Sequence, residues 1–536
     1  MNLTSFLEHW GLAENPFQAE EARHDPVFAR LGVGRTTHPD FPKVLGDPSR
    51  PSTSIVFGEK GSGKTAIRLQ MASRVAEHNA ANKSARLLLI AYDDLNPMLD
   101  RIYERESARS RARLRTRRKS SETEREGVLK VLQRIRLADH MDAILHAGVS
   151  ALMDRLLAEP SAPSASAPAA NGTPGPEQDD LKSLKQTLKR LDHQTKVDLT
   201  LLQVLYDRDV GREARRTVML RRRLRGAFNW HPLLWRTLAL LGWLPLAAIV
   251  AGSFFVDPQQ VPARLWLWAT VAAGAFWLIL LFKHIVFDRW RMSRLARRIV
   301  KQVRAVPRGQ DALAASLNMV PPAIRSPGDL PLDDSEETRY ALFARLRRAL
   351  TALGYSGMLV IVDRIDEPTL VSGDPDRMKA VIWPMLNNKF LQQHGLGMKL
   401  LLPIELKHEL FRESQAFFQE ARLDKQNMVE KLSWTGSTLF DLCNARLRAC
   451  LAPGVAAITL ADLFDPAVTR QDLIDALDQM HQPRDAFKFL YQCLAEHCSG
   501  VTDDQPRWTV SRDVLEMVRK QQVERAQGVY RGVRPA

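Results

Sequence analysis

An eight-residue segment near the N-terminus restricts the folds open to this chain more than any other feature. Gly58–Thr65 reads G-E-K-G-S-G-K-T, the apolar run Ser54–Phe57 precedes it, and Ala66–His78 has the pattern of a helix. A glycine-rich turn between a strand and a helix directs successive backbone N–H groups at one anion, and the helix N-terminus adds its positive dipole end. The segment therefore predicts a phosphate-binding loop in an α/β fold.

Each group of this loop has an expected role. Lys64 would bring a positive charge to the β- and γ-phosphates and assist the reaction there, and the Thr65 hydroxyl would bind Mg²⁺. The backbone N–H groups would hold phosphate oxygens. The loop residues expected to contact ATP are Gly58, Glu59, Lys60, Gly61, Ser62, Gly63, Lys64, Thr65 and Ala66.

A second segment, far along the chain, offers the acidic partner that such a loop needs. Met358–Val362 is a continuous apolar run, as expected of a central parallel strand covered on both faces, and Asp363 follows it directly. Side chains at the carboxyl ends of such strands line the sites of open α/β sheets. We expect Asp363 to hold Mg²⁺ opposite Thr65, and either Asp366 or Glu367 to polarise the attacking water.

Two more apolar segments fit the same sheet. Arg86–Ala91 leads to Asp93 and Asp94, and Met398–Ile404 leads to Glu405. If both are parallel strands, their carboxyl ends meet at the edge of the sheet where the phosphates would bind. These acidic side chains would then line the site, although helix capping or a solvent-facing role is an equal alternative for each.

Two long uncharged segments lie in the middle of the chain. Thr237–Val256 and Leu265–Phe282 would extend about 30 Å and about 27 Å as helices, close to the thickness of a bilayer's hydrocarbon. The short segment Asp257–Arg264 joins them and predicts an antiparallel hairpin, and tryptophans near the ends are typical of membrane interfaces. A buried helical hairpin in a soluble core is the alternative.

Basic residues on both outer sides of this hairpin predict its orientation. Positive charges stay on the cytoplasmic side, so both long ends of the chain are expected in the cytoplasm, at a bacterial-type inner (plasma) membrane that is crossed more than once. Contacts with membrane lipids would account for much of the net charge of +15 and weaken the case for nucleic acid. The flanking basic residues are Arg212, Arg215, Arg216, Arg221, Arg222, Arg223, Arg225 and Arg236 on one side, and Lys283, Arg289, Arg291, Arg294, Arg297, Arg298, Lys301 and Arg304 on the other.

Composition marks two further segments before the hairpin. Residues 161–178 are rich in Pro, Ala and Ser and have almost no large apolar side chain, which predicts a flexible linker. Arg101–Lys119 is densely basic and predicts a solvated helical arm, with lipid or nucleic-acid contact as alternatives.

Cysteine usage excludes a disulfide-dense scaffold, because only four cysteines occur among 536 residues. Their spacing lacks the C-x2-C pairs of a zinc site, so a metal cluster is not expected. The thiols predicted to be reduced and mostly buried are Cys443, Cys450, Cys493 and Cys498.

These features divide the chain into six predicted regions. The two parts of the nucleotide-binding core would be 1–98 and 335–410. The other regions are a helical basic arm with its linker (99–231), the transmembrane hairpin (232–290), a connector (291–334) and a C-terminal helical lid (411–536).

The order of these features resembles that of the KAP family of P-loop NTPases, in which membrane helices are inserted between the phosphate loop and the acidic motif. The wider match is to STAND- and AAA-like ATPases. Val362–Glu367 is similar to the D-x-h-D-E acidic motif of STAND proteins and differs from the D-D-h-D-R form common in KAP proteins. The resemblance implies an α/β fold: a P-loop NTPase parallel sheet of AAA/STAND type with a C-terminal helical lid, a helical insertion and two transmembrane helices.

Three further segments add to the resemblance. Gly11–Phe17 is similar to the opening of secretion-type AAA ATPases, where it precedes the first strand near the adenine. Gln482–Asp485 resembles a sensor-2 element, which implies that Arg484 reaches the γ-phosphate from the lid; a plain helix start with proline in its first turn is the alternative. Arg422–Lys425 resembles the segment that joins core to lid.

We therefore expect a membrane-anchored, Mg²⁺-dependent ATPase that acts as a nucleotide-dependent switch or organises a membrane-associated complex, as a homo-oligomer or with other proteins. Arg422, Arg446 or Arg448 from a neighbouring subunit would complete its site. The resemblance also suggests a role in phage exclusion. The alternatives are a secretion or envelope-assembly ATPase, and a nucleic-acid-binding ATPase that uses Arg101–Lys119.

Overall fold

The computed structural model describes residues 1–19, 21–31, 37–113, 121–157, 186–208, 215–224, 230–255, 263–326 and 328–530. The chain forms two compact units: the first combines Met1–Asp94 with Leu359–Ala536, and the second takes most of the chain between them. The predicted linker, residues 161–178, lies outside the described residues, as do residues 256–262 of the predicted hairpin and its loop.

The first unit is built on a five-stranded parallel sheet with the strand order β2-β3-β4-β1-β5. β1 pairs in parallel with both β4 and β5. The predicted α/β class is therefore confirmed, and four of the strands coincide with the apolar runs of the sequence. The strands are β1 (Ser54–Gly58), β2 (Arg86–Tyr92), β3 (Tyr355–Val362), β4 (Leu396–Pro403) and β5 (Asn427–Val429).

Four helices accompany the first two strands: α1 (Leu3–His9), α2 (Pro26–Leu31), α3 (Phe41–Leu45) and α4 (Lys64–Ala81). α4 packs on the sheet through Ile67, Met71 and Val75, which recur every four residues and so lie on one face of the helix. On the sheet side, Val56 and Leu401 belong to the same buried cluster. This packing fixes the N-terminus of α4 directly after β1.

The second unit is helical. Its elements are α5 (Asn96–Arg113), α6 (Ser121–Leu132), α7 (Leu137–Leu157), α8 (His193–Tyr206), α9 (Arg215–Leu224), α10 (Trp230–Leu241), α11 (Leu244–Phe255), α12 (Ala263–Phe282), a π-helical turn (Lys283–Phe287), α13 (Asp288–Gln302), α14 (Gln310–Leu317), a 3₁₀ turn (Pro322–Ile324) and α15 (Glu336–Ala352).

A buried ion pair joins three of these helices. Arg339 of α15 and Asp142 of α7 are both fully buried, with their nearest charged atoms 3.2 Å apart. The Tyr206 hydroxyl of α8 donates a hydrogen bond of 2.7 Å to the same carboxylate. Because a buried charge is tolerated only with partners, this cluster fixes the three helices against one another.

The basic run expected to form a solvated arm begins as a packed helix. In α5, Arg101 donates to the Val306 carbonyl at 3.1 Å and Arg105 to the Val300 carbonyl at 2.9 Å. These two guanidinium groups therefore bind the chain's own backbone. Residues 114–120 of the run lie outside the described residues.

The first predicted membrane segment, Thr237–Val256, is not a single helix, because two residues separate α10 from α11. Pro245 lacks the N–H that would continue the helix. At Gly242, a Cβ atom would lie only 2.9 Å from the Trp277 ring, so the absence of a side chain lets this segment and α12 approach there. The Trp277 indole N–H donates to the Ala239 carbonyl at 3.1 Å, one of the carbonyls near the break. Hydropathy alone does not register such an interruption.

The second predicted segment continues further than expected. α12, the π-helical turn and α13 form one helix of 39 residues, Arg264–Gln302. In the described ranges this is the one helix that is long and apolar enough to cross a membrane. Of the two predicted transmembrane helices, the second segment therefore gives one candidate span, and two are not shown.

From Pro375 onwards the described part of the first unit is mostly helical, apart from the strands β4 and β5. Its helices are α16 (Pro375–Ile382), α17 (Asn388–Leu391), α18 (Ile404–Phe411), α19 (Gln415–Ala421), α20 (Gly436–Cys450), α21 (Arg470–Asp478), α22 (Pro483–Gly500) and α23 (Arg512–Tyr530), with 3₁₀ turns at Trp383–Met385, Leu423–Lys425 and Leu460–Leu463.

α1 and the last four helices share one hydrophobic core, which includes Phe6, Leu447 and Phe489. The segment Gly11–Phe17 belongs to this helical part, because Ala13 N donates to the Cys450 carbonyl at 2.9 Å. All four cysteines are buried and free of disulfides.

Candidate nucleotide-binding site

The loop between β1 and α4 has the backbone that its glycines suggest. Gly61 and Gly63 have φ angles of +97° and +96°, in the left-handed region that other residues rarely adopt. Gly63 is the N-cap residue of the 18-residue helix α4. It has no side chain, so the first N–H groups of the helix receive no side-chain hydrogen bond from it. Ser62 Oγ is buried and has no hydrogen-bond partner among the described residues. An anion in this turn would satisfy these groups.

Lys64 lies within the loop and contacts its backbone. Its Nζ donates to the Gly58 carbonyl at 2.7 Å and to the Glu59 carbonyl at 2.9 Å. Burial lowers the pKa of Lys64, and the charge of Asp366, followed by that of Asp363, opposes this shift most strongly. The ammonium group is therefore held among carboxylates and carbonyls, at the position where the phosphate chain would lie.

Thr65 and Asp363 meet, as the sequence predicts. Thr65 Oγ1 donates to Asp363 Oδ2 at 3.5 Å, although 298 residues separate the two. Burial raises the pKa of the Asp363 carboxyl, and the positive charges of Arg68 and Lys64 oppose that rise. A hydroxyl and a carboxylate are hard oxygen donors of the kind that suits Mg²⁺. No larger group of metal-binding side chains occurs in the described ranges.

The two candidate catalytic carboxylates have different surroundings. Glu367 forms an ion pair with Arg364 and leaves 49% of its side chain exposed. Asp366 is the carboxylate whose charge acts most strongly on Lys64. Asp366 therefore acts on the lysine of the loop, whereas Glu367 pairs with its own neighbour Arg364. Glu405, at the start of α18, also acts on Lys64.

Arg484 lies against the loop, at the first turn of α22. A Cβ on Gly61 would be 3.0 Å from Arg484 Cβ and 2.8 Å from Gln482 Oε1. Gln482 also hydrogen-bonds to Glu59, and Lys431 Nζ lies 2.8 Å from Glu59 Oε1. The start of α22 therefore packs against the loop at Glu59 and Gly61. The resemblance to a sensor-2 element implies a place near the loop for Arg484, and its reach to a γ-phosphate stays a prediction; the sequence gives no signal for Gln482 beyond its place next to the Pro-Arg pair.

A cavity of about 320 Å³ adjoins the loop, and Trp434 lines it. The Trp434 indole N–H donates to the Ser62 carbonyl at 2.9 Å, and the His38 ring packs edge-on against it with 4.9 Å between centroids. Burial lowers the pKa of His38. Sequence reasoning missed both residues, because no motif surrounds either. The other residues that line the cavity are Glu59, Lys431, Leu432, Ser433, His481 and Gln482.

Charged residues continue from Asp363 towards the end of β2. Arg68 Nε lies 3.3 Å from Asp363 Oδ2, and Arg68 Nη1 donates to Asp93 Oδ2 at 2.7 Å. Arg23 Nη2 donates to the same Asp93 oxygen at 3.0 Å. Asp93 is therefore at the site, as its position after an apolar strand suggests. The alternating charges of this row were not foreseen.

Arg446 is not available to a neighbouring subunit. Only 2% of its surface is exposed, and its guanidinium lies 2.5 Å from Asp25 and donates to the Pro16 carbonyl at 2.6 Å. The expectation that it could complete the site of another copy is therefore wrong. Arg422 and Arg448 are exposed.

No protein-family model, curated protein or solved structure matches this chain. The resemblance to KAP, STAND and AAA proteins accordingly stays a prediction that depends on the motif residues themselves.

Proposed function

We propose that this protein binds ATP with Mg²⁺ in the loop Gly58–Thr65 and hydrolyses it. The observation that carries the proposal is the contact of 3.5 Å between Thr65 Oγ1 and Asp363 Oδ2. It joins the glycine-rich loop after β1 to a buried carboxylate directly after β3, another strand of the same parallel sheet, at the edge where ligands of open α/β sheets bind.

The chain's own groups would divide the chemistry as follows. Lys64 would leave the carbonyls of Gly58 and Glu59 and bind phosphate oxygens, while the N–H groups at the start of α4 hold the phosphate chain. Thr65 and Asp363 would hold Mg²⁺, which neutralises charge on the phosphates when bound. Asp366 would orient the attacking water.

The lid supports a role as a nucleotide-dependent switch. Gln482 and Lys431 both bind Glu59 of the loop, and Arg484 packs on Gly61. A phosphate chain that enters the loop must therefore affect the first turn of α22. This coupling fits a P-loop NTPase of AAA/STAND type whose lid responds to nucleotide.

We further propose that the helix Arg264–Gln302 anchors the protein in a membrane. A buried helical hairpin is the alternative, and it would hide its apolar side chains. Instead Trp268, Ile279 and Leu267 expose 69%, 64% and 63% of their surface. Such a surface needs a cover of lipid or of another protein. The basic residues of α13 would lie at the anionic headgroups.

ATP binding and turnover by the detergent-solubilised protein test the first proposal. Lys64→Ala should weaken ATP binding tenfold or more, about 1.4 kcal/mol. Asp366→Asn should keep binding and lose about 100-fold or more in turnover, whereas Glu367→Gln should lose less. Lys83→Ala, at an exposed lysine just beyond the far end of α4, is the matched control. Equal ATP affinity in the unmodified protein and in Lys64→Ala would refute the proposal.

A further inference from the structure

The carboxylate predicted to hold Mg²⁺ already has a cationic partner from the same helix as Thr65. Arg68 lies one turn beyond Thr65 on α4, and its Nε is 3.3 Å from Asp363 Oδ2. The Thr65 hydroxyl contacts that same oxygen. Asp363 is 1% exposed, and a buried carboxylate needs a compensating charge. Arg68 supplies it.

A second carboxylate holds the other side of the same guanidinium group. Arg68 Nη1 donates a directed hydrogen bond of 2.7 Å to Asp93 Oδ2. Arg68 Nε, in contrast, makes no hydrogen bond among the described residues, so its contact with Asp363 is one of charge alone. Arg68 can therefore separate from Asp363 while it keeps Asp93.

We propose that Arg68 occupies the place of the metal ion at Asp363 and moves towards Asp93 when Mg²⁺ and ATP bind. The inference rests on the proposed function and adds a determinant to it: the Mg²⁺ requirement is set by competition with a side chain of the protein. Two cations at one buried carboxylate oxygen repel each other strongly, so the exchange is mutually exclusive. Arg68 is a positioning residue in this scheme, and Asp93 is its second acceptor.

The two substitutions at this pair have opposite expected effects. Arg68→Gln removes the competing cation, so the Mg²⁺ concentration for half-maximal binding of a fluorescent ATP analogue should fall about tenfold. Asp93→Asn removes the second acceptor, so Arg68 stays with Asp363 and that concentration should rise severalfold. Arg68→Lys keeps a charge and should lie between the unmodified protein and Arg68→Gln.

The control lies on the same helix. Arg74→Gln removes an arginine whose described ion pair is with Glu77, one turn away on the surface, and should leave the Mg²⁺ midpoint unchanged. The measurement uses the full-length protein in detergent, with analogue fluorescence rather than turnover as its readout.

Three outcomes decide the matter. Opposite shifts of the Mg²⁺ midpoint in Arg68→Gln and Asp93→Asn support the inference. Shifts in the same direction, or none, contradict it, because a purely structural ion pair would weaken both variants alike. If the unmodified protein does not bind the analogue at any Mg²⁺ concentration, the proposed function itself fails, and this inference with it.

Discussion

Lys399 is a charged side chain enclosed by the sheet. It lies in the middle of β4, opposite Ser54 of β1, and none of its surface is exposed. Its Nζ has no hydrogen-bond partner in the described part of the chain, and burial lowers its pKa from 10.5 to about 7. An ammonium group in such a place loses its hydration without gaining an ion pair, and so destabilises the fold.

Stability should therefore increase with pH. The unfolded lysine titrates near 10.5 and the folded one near 7, so the penalty is complete below about pH 7 and declines as the pH rises from 7 towards 10.5. Lys399→Met should raise the free energy of unfolding by about 3 kcal/mol at pH 7 and abolish this pH dependence. Thermal melts at pH 7 and pH 9 check both effects. A variant less stable than the parent at pH 7 would show that the charge is compensated.

Some contacts between individual residues could be predicted from the sequence, and others could not. The meeting of Thr65 with Asp363 follows from two local patterns, because the carboxyl ends of parallel strands share one edge of the sheet. The contact of Trp434 with Ser62 and the row from Arg68 to Asp93 do not follow. They depend on how side chains from separate segments pack, and no local spacing encodes that.

At the scale of elements, the contact between the start of α22 and the loop Gly58–Thr65 is the one most open to test. Gly61→Ala would place a methyl group 2.8 Å from Gln482 Oε1 and force alanine into a φ of +97°. A non-glycine residue in such a conformation is strained by about 1–3 kcal/mol. We expect ATP binding to be lost and amide hydrogen exchange to increase in the first turn of α22.

The control for this change is Gly127→Ala, in the helix α6, where an added Cβ meets nothing within 4 Å. It should leave both exchange and ATP binding as they are. Normal ATP binding by Gly61→Ala would mean that the lid does not need to stay close to the turn.

The elements of the sheet were predictable because continuous apolar runs such as Met358–Val362 mark strands buried on both faces. The helix expected over Thr237–Val256 was not predicted correctly. Its hydropathy is continuous, but Gly242 and Pro245 interrupt the hydrogen bonds of the backbone, and Trp277 of a distant segment takes up a nearby carbonyl. A short strand such as β5 (Asn427–Val429) has too few residues to form a pattern of its own.

At the scale of the whole molecule, the sheet limits how the chain can cross a membrane. β1 and β4 are paired, so the segments before and after the helix Arg264–Gln302 must lie on the same side. One crossing would separate them. A second is therefore required if that helix spans the bilayer. α10 and α11 are each about 18 Å long and are together long enough for that second crossing. The break between them is tolerable in a membrane where a neighbouring helix satisfies the freed carbonyls.

Labelling with a membrane-impermeant maleimide tests this topology. The four native cysteines are buried and should react little. Gln259→Cys, between the two apolar segments, should be labelled in intact cells, and Ser164→Cys, in the predicted linker, only after lysis. Labelling of both in intact cells, or of neither before lysis, would contradict a hairpin with both long ends in the cytoplasm.

The pairing of β1 with β4 also governs the order of events on the ribosome. The 337 residues between Gly58 and Leu396 take roughly 17–70 s to synthesise at ~5–20 residues per second. Throughout that interval β1 lacks both of its neighbours in the sheet, because β4 and β5 are synthesised later. The apolar segments of the middle of the chain leave the ribosome before β4 does. If the apolar segments enter a membrane, they can therefore do so before β1 pairs with β4 and before Thr65 meets Asp363.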